Sequence, residues 1–332
     1  MTSARVSIII VNYNGLSLPH PNLSDCLSAL SSQDFKDYEA ILVDNCSTDA
    51  SVNYVRSNYP RVTLVQLTRN YGFALANNIG LRFAAGEYVV LLNNDAVPLQ
   101  GWLRSLVSSA DQHLDYEIFA SIQLPDQRSG KTRDLNVYGG VCVYDRGRGV
   151  VLPSLFASGA VCLIRRSWIN KLGYLFDETF GTFAEDLDLS IRTILAGGQI
   201  AYVASSMALH HPGSTWRFYC MNSTYMANRN EIMAYFKALG IRSFMKVIVA
   251  RMVYIALRTF VKPRELPKNL SMLVGLLAGV LNLPLHLRER TRFSRIKIRS
   301  DRYLLARLKL HPVNAVGTIM WRFMASRSLN QT

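Results

Sequence analysis

The 332 residues contain no CxxC pair and only five cysteines, Cys26, Cys46, Cys142, Cys162 and Cys220, with no histidine at ligand spacing nearby. That excludes a disulfide framework and argues against a zinc site, leaving the thiols as small buried apolar groups in a reducing compartment. No GxGxxG follows the first apolar run and no GxxxxGK[ST] occurs anywhere, which disfavours a dinucleotide fingerprint and a P-loop. Repeats and low-complexity tracts are missing. The uncharged stretch 270–287 contains Asn282, Pro284 and His286, so it falls short of the roughly 20 mainly apolar residues that span a bilayer. The first apolar run, Val6 to Val11, is shorter than a signal-peptide core and ends at Asn12, which points to a chain that begins folding in the cytoplasm. Acidic residues are scarce in one region only. Residues 241–332 hold 18 Lys+Arg against Glu265, Glu289 and Asp301, net +15, whereas residues 1–240 hold 19 against 20, net −1.

What is present is 49% apolar, 10% aromatic and 18% charged, too apolar for a disordered chain and too lightly charged for a coiled coil. At roughly 150 residues per domain, the length allows one large domain with an appendage, or two domains. The runs VSIIIV (6–11), YEAILV (38–43), VTLVQL (62–67) and YVVLLN (88–93) are nearly continuous, as in strands covered on both faces of a parallel sheet. Between them Leu23, Cys26, Leu27 and Leu30 recur at i, i+3, i+4 and i+7, one face of a helix. Val52 and Val55 repeat the pattern, and Phe73 to Ala85 predicts a third helix stopped by Gly86. Such units predict a doubly wound α/β domain. Further on, the pattern predicts a hairpin over 137–152, a strand over 156–166 and a helix from Glu185 to Leu195 ended by Gly197 and Gly198. A strand over 199–203 and a long helix from Trp216 to Leu239 follow.

In an open parallel sheet, ligands bind beyond the carboxyl ends of the strands. Those ends carry Asn12 to Gly15, Asp44 to Asp49, Arg69 to Gly72 and Asn93 to Asp95. Any one of them reads equally as a turn or a cap, but four in succession make a binding crevice. Without a glycine-rich loop, a nucleoside diphosphate can be held by a divalent cation, Mg²⁺ or Mn²⁺, for which Asp95 is an oxygen ligand. In Glu185-Asp186-Leu187-Asp188, residues 185 and 188 share a helix face and 186 points about 100° away. One carboxylate then faces the crevice while the others sit at the helix N-terminus, where negative charge is favourable. Reading all three as N-terminal helix charges is the alternative. His210 and His211 follow a β-rich stretch, and an isolated pair there reads first as structural.

In this order the segments resemble the family 2 glycosyltransferases, which bind nucleotide sugars on the GT-A fold; the resemblance covers roughly residues 5–240. VSIIIVNYNG resembles the family's first strand, ILVDNCSTDAS its second, and RNYGFALANNIGL its Asn-x-Gly-Phe stretch. LLNNDAVP stands where the family has its DxD motif, with Asn93 in place of the first acid, as in relatives resembling rhamnosyltransferases. FASGAVCLIRR, FGTFAEDLDLSIR and LHHPGST are similar to the acceptor strand, catalytic helix and metal-binding histidine. The resemblance implies a catalytic domain over 1–240, with a nucleotide-sugar half (about 1–97) and an acceptor half (about 98–240). It implies Asp186 as the base that deprotonates the acceptor, with Glu185 as the alternative. It places Asn12, Asp44, Asn70, Gly72, Asn78, Asn93, Asn94 and Asp95 at the nucleotide sugar, Asp44 facing the nucleobase. Asp95 and His210, or His211 in its stead, would hold the metal, and Ser158 and Gly159 would meet the acceptor. The implied chemistry is in-line displacement at the anomeric carbon with inversion, releasing a nucleoside diphosphate.

Residues 241–332 read as a basic, amphipathic, helical, membrane-associating appendage. Segment 244–261 carries Lys246, Arg251 and Arg258, which suits lying flat on anionic lipid, and 270–287 reads as interfacial or re-entrant. Helices packed on the catalytic domain are the soluble alternative. Nucleic acid is disfavoured because no RRM, KH or helix-turn-helix signature accompanies the charge. The sequence therefore predicts an inverting, metal-dependent sugar transferase, peripheral at the cytoplasmic membrane face, extending a lipid-linked glycan in cell-surface polysaccharide synthesis. The alternatives are a transferase of the same fold with a soluble or protein acceptor, and a nucleotide-sugar binding protein without turnover, for which Asn93 is the best argument.

Overall fold

The computed structural model describes residues 4–124, 132–136, 140–144, 151–210 and 220–307. Its frame is a nine-stranded mixed sheet. β1 (Val6–Asn12) pairs in parallel with β2 (Tyr38–Asp44) and β4 (Tyr88–Asn93), and β3 (Thr63–Gln66) extends the parallel set beyond β2. β10 (Val161–Arg165) lies antiparallel between β4 and β6 (Ile118–Leu124). β11 (Ile200–His210) runs parallel to β6 and carries β5 (Ala96–Pro98) and β9 (Val151–Ser154) antiparallel to itself.

The continuous apolar runs resolve into two interleaved sets, one for each layer of helices. Val6, Ile8 and Ile10 of β1 join one core with Leu42, Val90 and Leu92, under α1 (Leu23–Ser31), α2 (Ser51–Asn58) and α4 (Trp102–Gln112). Ile9 joins the other with Ile41, Val43, Val89 and Leu91, under α3 (Gly72–Phe83), α5 (Arg166–Leu172), α6 (Glu185–Leu195) and α7 (Cys220–Ala238). α1 starts where Asn22 accepts from Ser24 N and Asp25 accepts from Asn22 N, a reciprocal cap.

Three local expectations change. Gly86 is not a left-handed helix stop; a Cβ there would meet Ser7 N at 2.7 Å and Arg5 O at 2.8 Å, so its bareness lets the chain enter β4 against β1. The expected 137–152 hairpin does not form as such. β8 (Gly140–Tyr144) pairs with β7 (Thr132–Asn136), while β9 joins the main sheet through β11; the intended turn, 145–150, lies outside the described residues. The 156–166 strand begins only at Val161, freeing 156–160 as a loop that reaches the cavity at the end of the central strands.

Beyond Gly240 come α8 (Ile241–Val261), α9 (Leu266–Leu281), α10 (Leu287–Ser294) and α11 (Asp301–Arg307). Phe244, Val247, Met272, Leu276, Phe293 and Leu304 belong to the same core as Ile9, so the boundary expected at 240 cuts through continuous packing. Gly275 and Gly279 bring α9 against the backbone of α7, where a Cβ on Gly279 would meet Arg229 O at 2.8 Å.

A buried ionic cluster fastens these layers. Lys237 Nζ of α7 lies 2.7 Å from Asp177 Oδ2 and 2.8 Å from Asp188 Oδ1, and Arg192 Nε donates to Asp188 Oδ2 at 2.7 Å. Burial works against the Asp177 carboxylate, but His286, Lys237 and Thr179 more than offset it and hold it well below the usual carboxylate range. Removing one partner strands the others without water. Lys237→Met is therefore expected to lower stability by about 3–5 kcal/mol, whereas Arg104→Ala, which breaks the exposed, solvent-screened pair with Asp34, should cost far less. Urea unfolding of both variants measures this, and equal midpoints would refute the cluster's role.

Candidate active site

The carboxyl ends of β1, β2 and β4 and the first turns of α3 and α6 surround a cavity of about 250 Å³. Of the residues expected at the site, Asn70, Gly72, Asn93, Asn94, Asp95, Ser158, Gly159, Glu185, Asp186 and His210 line it. Asn12, Asp44 and Asn78, expected at the nucleotide sugar, do not. Asn12 is fully buried; its Nδ2 donates to Asp44 Oδ1 at 3.0 Å, and its Oδ1 accepts from Asn94 Nδ2 at 2.8 Å. Asp44 Oδ2 accepts from Ser47 N at 3.0 Å, so these two residues brace the turns beneath the cavity. Asn78 grips both backbone groups of Phe176, at 2.8 and 3.1 Å, tying α3 to the segment that leads into α6.

The donor-side turn is built by amides. Asn45 Nδ2 donates to Asn70 Oδ1 (2.9 Å) and Gly72 O (3.1 Å), and Asn70 Oδ1 accepts from Gly72 N at 2.9 Å. Gly72 is required here: its φ is +80°, and a Cβ would meet Gly181 O at 2.8 Å. That contact, with Ala74 N donating to Gly181 O at 2.8 Å, closes the 181–184 loop onto α3.

The same loop aims the acids. Phe183 and Ala184 both adopt left-handed backbone, with φ of 75° and 63°, an arrangement that persists only where surroundings enforce it. Asn230, fully buried on α7, enforces it: its Nδ2 donates to the carbonyls of Phe180, Thr182 and Phe183 at 2.9, 3.0 and 2.7 Å. α6 then begins with Glu185 and Asp186 both facing the cavity, while Asp188, expected on the face of Glu185, turns into the ionic cluster. Asp186 Oδ2 accepts from Gly159 N at 3.2 Å and its Oδ1 from Leu187 N at 2.8 Å. The Gly159 amide, expected to serve the acceptor, thus holds the carboxylate. Burial pushes Asp186 up to about 6 despite these donors, and burial together with the Asp186 charge pushes Glu185 well above the carboxylate range. Burial thus raises both acids, and Glu185 in addition ionises against the charge of Asp186.

Across the strand ends, His210 Nε2 stands 3.3 Å from Asp95 Oδ1 and 3.4 Å from Asn93 Nδ2, and His210 Nδ1 meets Gln123 Oε1 at 2.9 Å. Gln123 therefore fixes the ring with Nε2 toward Asp95. His211 lies outside the described residues. Asp95 Oδ1 and Asn93 Oδ1 are buried without a hydrogen-bond donor. Buried oxygens left in this state fit a hard cation, although among the described residues no group of three or more His, Cys, Asp or Glu comes together. The donor set suits Mg²⁺ or Mn²⁺ with part of its shell left to phosphate oxygens.

Tyr13 and Asn45, within the strand-end stretches that the sequence marks as a crevice, also line the cavity, as do Thr182 and Phe183, which sequence reading does not single out. Gln123 and Asn230 carry no local signal, since each acts through a partner dozens of residues away.

Residues 7–173 match the family model Glycosyl transferase family 2, and the chain belongs to that family. It is a glycosyltransferase with a GT-A fold and a helical C-terminal region. It is 27% identical over 235 residues, 61% of this chain and 75% of the relative, to an N-acetylglucosaminyl-diphospho-decaprenol L-rhamnosyltransferase of Mycobacterium tuberculosis. A glycosyltransferase of Bacillus subtilis, YwdF, is 29% identical over 176 residues, 51% of this chain and 61% of the relative. Among solved structures, S. aureus TarS 1-349 in complex with UDP-GlcNAc superposes with a TM-score of 0.57 at 16% identity, covering 97% of this chain and 92% of that one. A Pyrobaculum calidifontis mannosyltransferase in complex with GDP-Man and Mn²⁺ gives 0.52 at 20% identity, covering 96% and 87%. At such identities these likenesses speak for the fold alone.

Proposed function

We propose that this enzyme moves a sugar, with inversion, from a nucleoside-diphosphate sugar to a hydroxyl of a lipid-linked glycan during cell-surface polysaccharide synthesis. The observation that carries this is that the Glu185 and Asp186 carboxyls and an Asp95–His210 pair line one cavity. The acceptor oxygen attacks the anomeric carbon as its proton passes to Asp186, and the bond from that carbon to the diphosphate oxygen breaks, its electrons leaving with the nucleoside diphosphate. Asp95, His210 and Asn93 Oδ1 would hold a divalent cation that offsets the charge on that leaving group. The mycobacterial relative's name, with its diphospho-decaprenol acceptor, supports a lipid-linked substrate. NMR of the product formed from nucleotide sugars and prenyl-diphosphate glycans tests the reading; retained anomeric configuration, or hydrolysis without transfer, would overturn it.

We further propose a peripheral position at the cytoplasmic membrane face. No single described helix is long and apolar enough to cross a membrane, although the bent pair Pro263–Leu281 and Leu283–Ser294 passes by length and composition. α8 and α9 each bury one apolar face and leave a second exposed, Ile241, Met245, Val249 and Met252 on α8, and Leu266, Leu270, Val274 and Leu277 on α9. Such a surface exceeds scattered exposure, and residues 241–332 carry a net charge of +15. Charge alone would release in about 1 M salt, where the Debye length falls to about 3 Å; apolar burial would not. The full-length protein is therefore expected to stay with membranes through such a wash, and a monomer soluble without detergent would refute the assignment.

A further inference from the structure

A second cavity, of about 400 Å³, opens beside the first turns of α7 and α9 and is lined by Met221, Tyr225, Leu266, Pro267, Leu270 and Val274. Its size falls within the roughly 300–1,000 Å³ of small-molecule sites. The two helices run in the same direction there, Ser271 Oγ donating to Met221 O at 2.6 Å and Gly275 lying against Tyr225 O. With its lining apolar and the Ser271 hydroxyl already engaged, the groove suits a hydrocarbon chain. Leu266, Leu270 and Val274 belong to the exposed stripe proposed above to meet the bilayer, so a chain can enter from that side.

From the groove, α7 leads to the catalytic cavity. Arg229 follows Tyr225 by one turn on the same helix face. Its guanidinium donates to the neutral Asn230 Oδ1 at 2.9 Å and to Phe180 O at 3.5 Å, and it has no carboxylate partner among the described residues. Asn230 in turn holds Thr182 and Phe183, which line the catalytic cavity. At about 1.5 Å per residue, Tyr225 and Asn230 are about 7.5 Å apart along the axis. Apolar groove, unneutralised cation and catalytic cavity thus follow one another in the order of a prenyl chain, its diphosphate and its sugar. A second copy of this chain is a poorer occupant, since it would bring one +15 region against another.

We propose that the α7–α9 groove binds the prenyl chain, and Arg229 the diphosphate, of a lipid-linked acceptor; this rests on the acceptor class read above. The test is direct binding of fluorescently tagged farnesyl diphosphate and tagged farnesol to the full-length protein. Val274→Trp, at a half-exposed position, should fill the groove and weaken both probes about tenfold or more. Arg229→Gln should weaken the diphosphate toward the affinity of the alcohol and leave the alcohol unchanged. Met252→Gln, on the exposed stripe of α8, should alter neither, and thermal midpoints check that each variant is folded. Unchanged binding in Val274→Trp would overturn the groove, and equal losses of both probes in Arg229→Gln would overturn the diphosphate contact. The acceptor class fails separately. Probe binding with the expected variant pattern, but no sugar transfer to any prenyl-linked glycan, would sink that class while the groove stands. Transfer to such glycans with wild-type KM in both variants would sink the groove alone.

Discussion

Asp186→Asn is expected to lower kcat by roughly 10²- to 10⁴-fold while nucleotide affinity stays near that of the wild type. The amide preserves the shape that Gly159 N and Leu187 N hold, so the loss isolates proton acceptance from positioning. The pH profile carries the same signature. With Asp186 raised to about 6 by burial, the reactive form is the ionised one present above that pH. kcat/KM should therefore fall about tenfold per unit below about pH 6 and level off above it, and the variant should lack this limb. Glu185→Gln leaves untouched the carboxylate that Gly159 N and Leu187 N orient and should leave most of the turnover intact. Near-normal turnover in Asp186→Asn beside a collapsed Glu185→Gln would move the role one residue back.

The positions that sequence reading finds are those whose role is local. Asn93 to Asp95 end a strand that is apolar for its first five residues, and Glu185 opens a helix whose apolar spacing is unmistakable, so both announce themselves within a single turn of chain. Whether a polar residue near the site touches ligand or braces the turn beneath is a matter of side-chain direction. Asn12, Asp44 and Asn78 sit in motifs that look like ligand-binding ones and are braces here. The parts that enforce the site's geometry, Asn230 on the 180–183 carbonyls and Gln123 on His210, are single polar residues acting at long range, with no periodicity to betray them. The C-terminal helices were ambiguous for another reason. α8 interleaves two apolar sets at helical spacing, one through Phe244, Val247, Ile248 and Ile255 that is buried, one through Ile241, Met245, Val249 and Met252 that is exposed. A pattern apolar on both sides fits packing and membrane contact equally, and the fold uses one side for packing.

Asp95→Ala and His210→Ala are each expected to weaken cation-dependent nucleotide binding by about 10²-fold or more, because a site with two strong protein ligands has none to spare. Gln123→Ala should be milder, about 10- to 100-fold, since it frees the His210 ring without deleting it. Asn93→Asp provides the opposite sign. The orphaned Asn93 Oδ1 becomes a charged oxygen beside Asp95, which should tighten the site for Mg²⁺ or Mn²⁺ and leave two crowded carboxylates when the cation is withheld. Titrating nucleoside diphosphate into each variant by calorimetry, with Mn²⁺ and then with excess chelator, separates these effects. Wild-type affinity and activity in chelator would place the charge of the leaving group on side chains alone, and in that case Asn93→Asp would weaken nucleotide binding through plain repulsion instead of strengthening it.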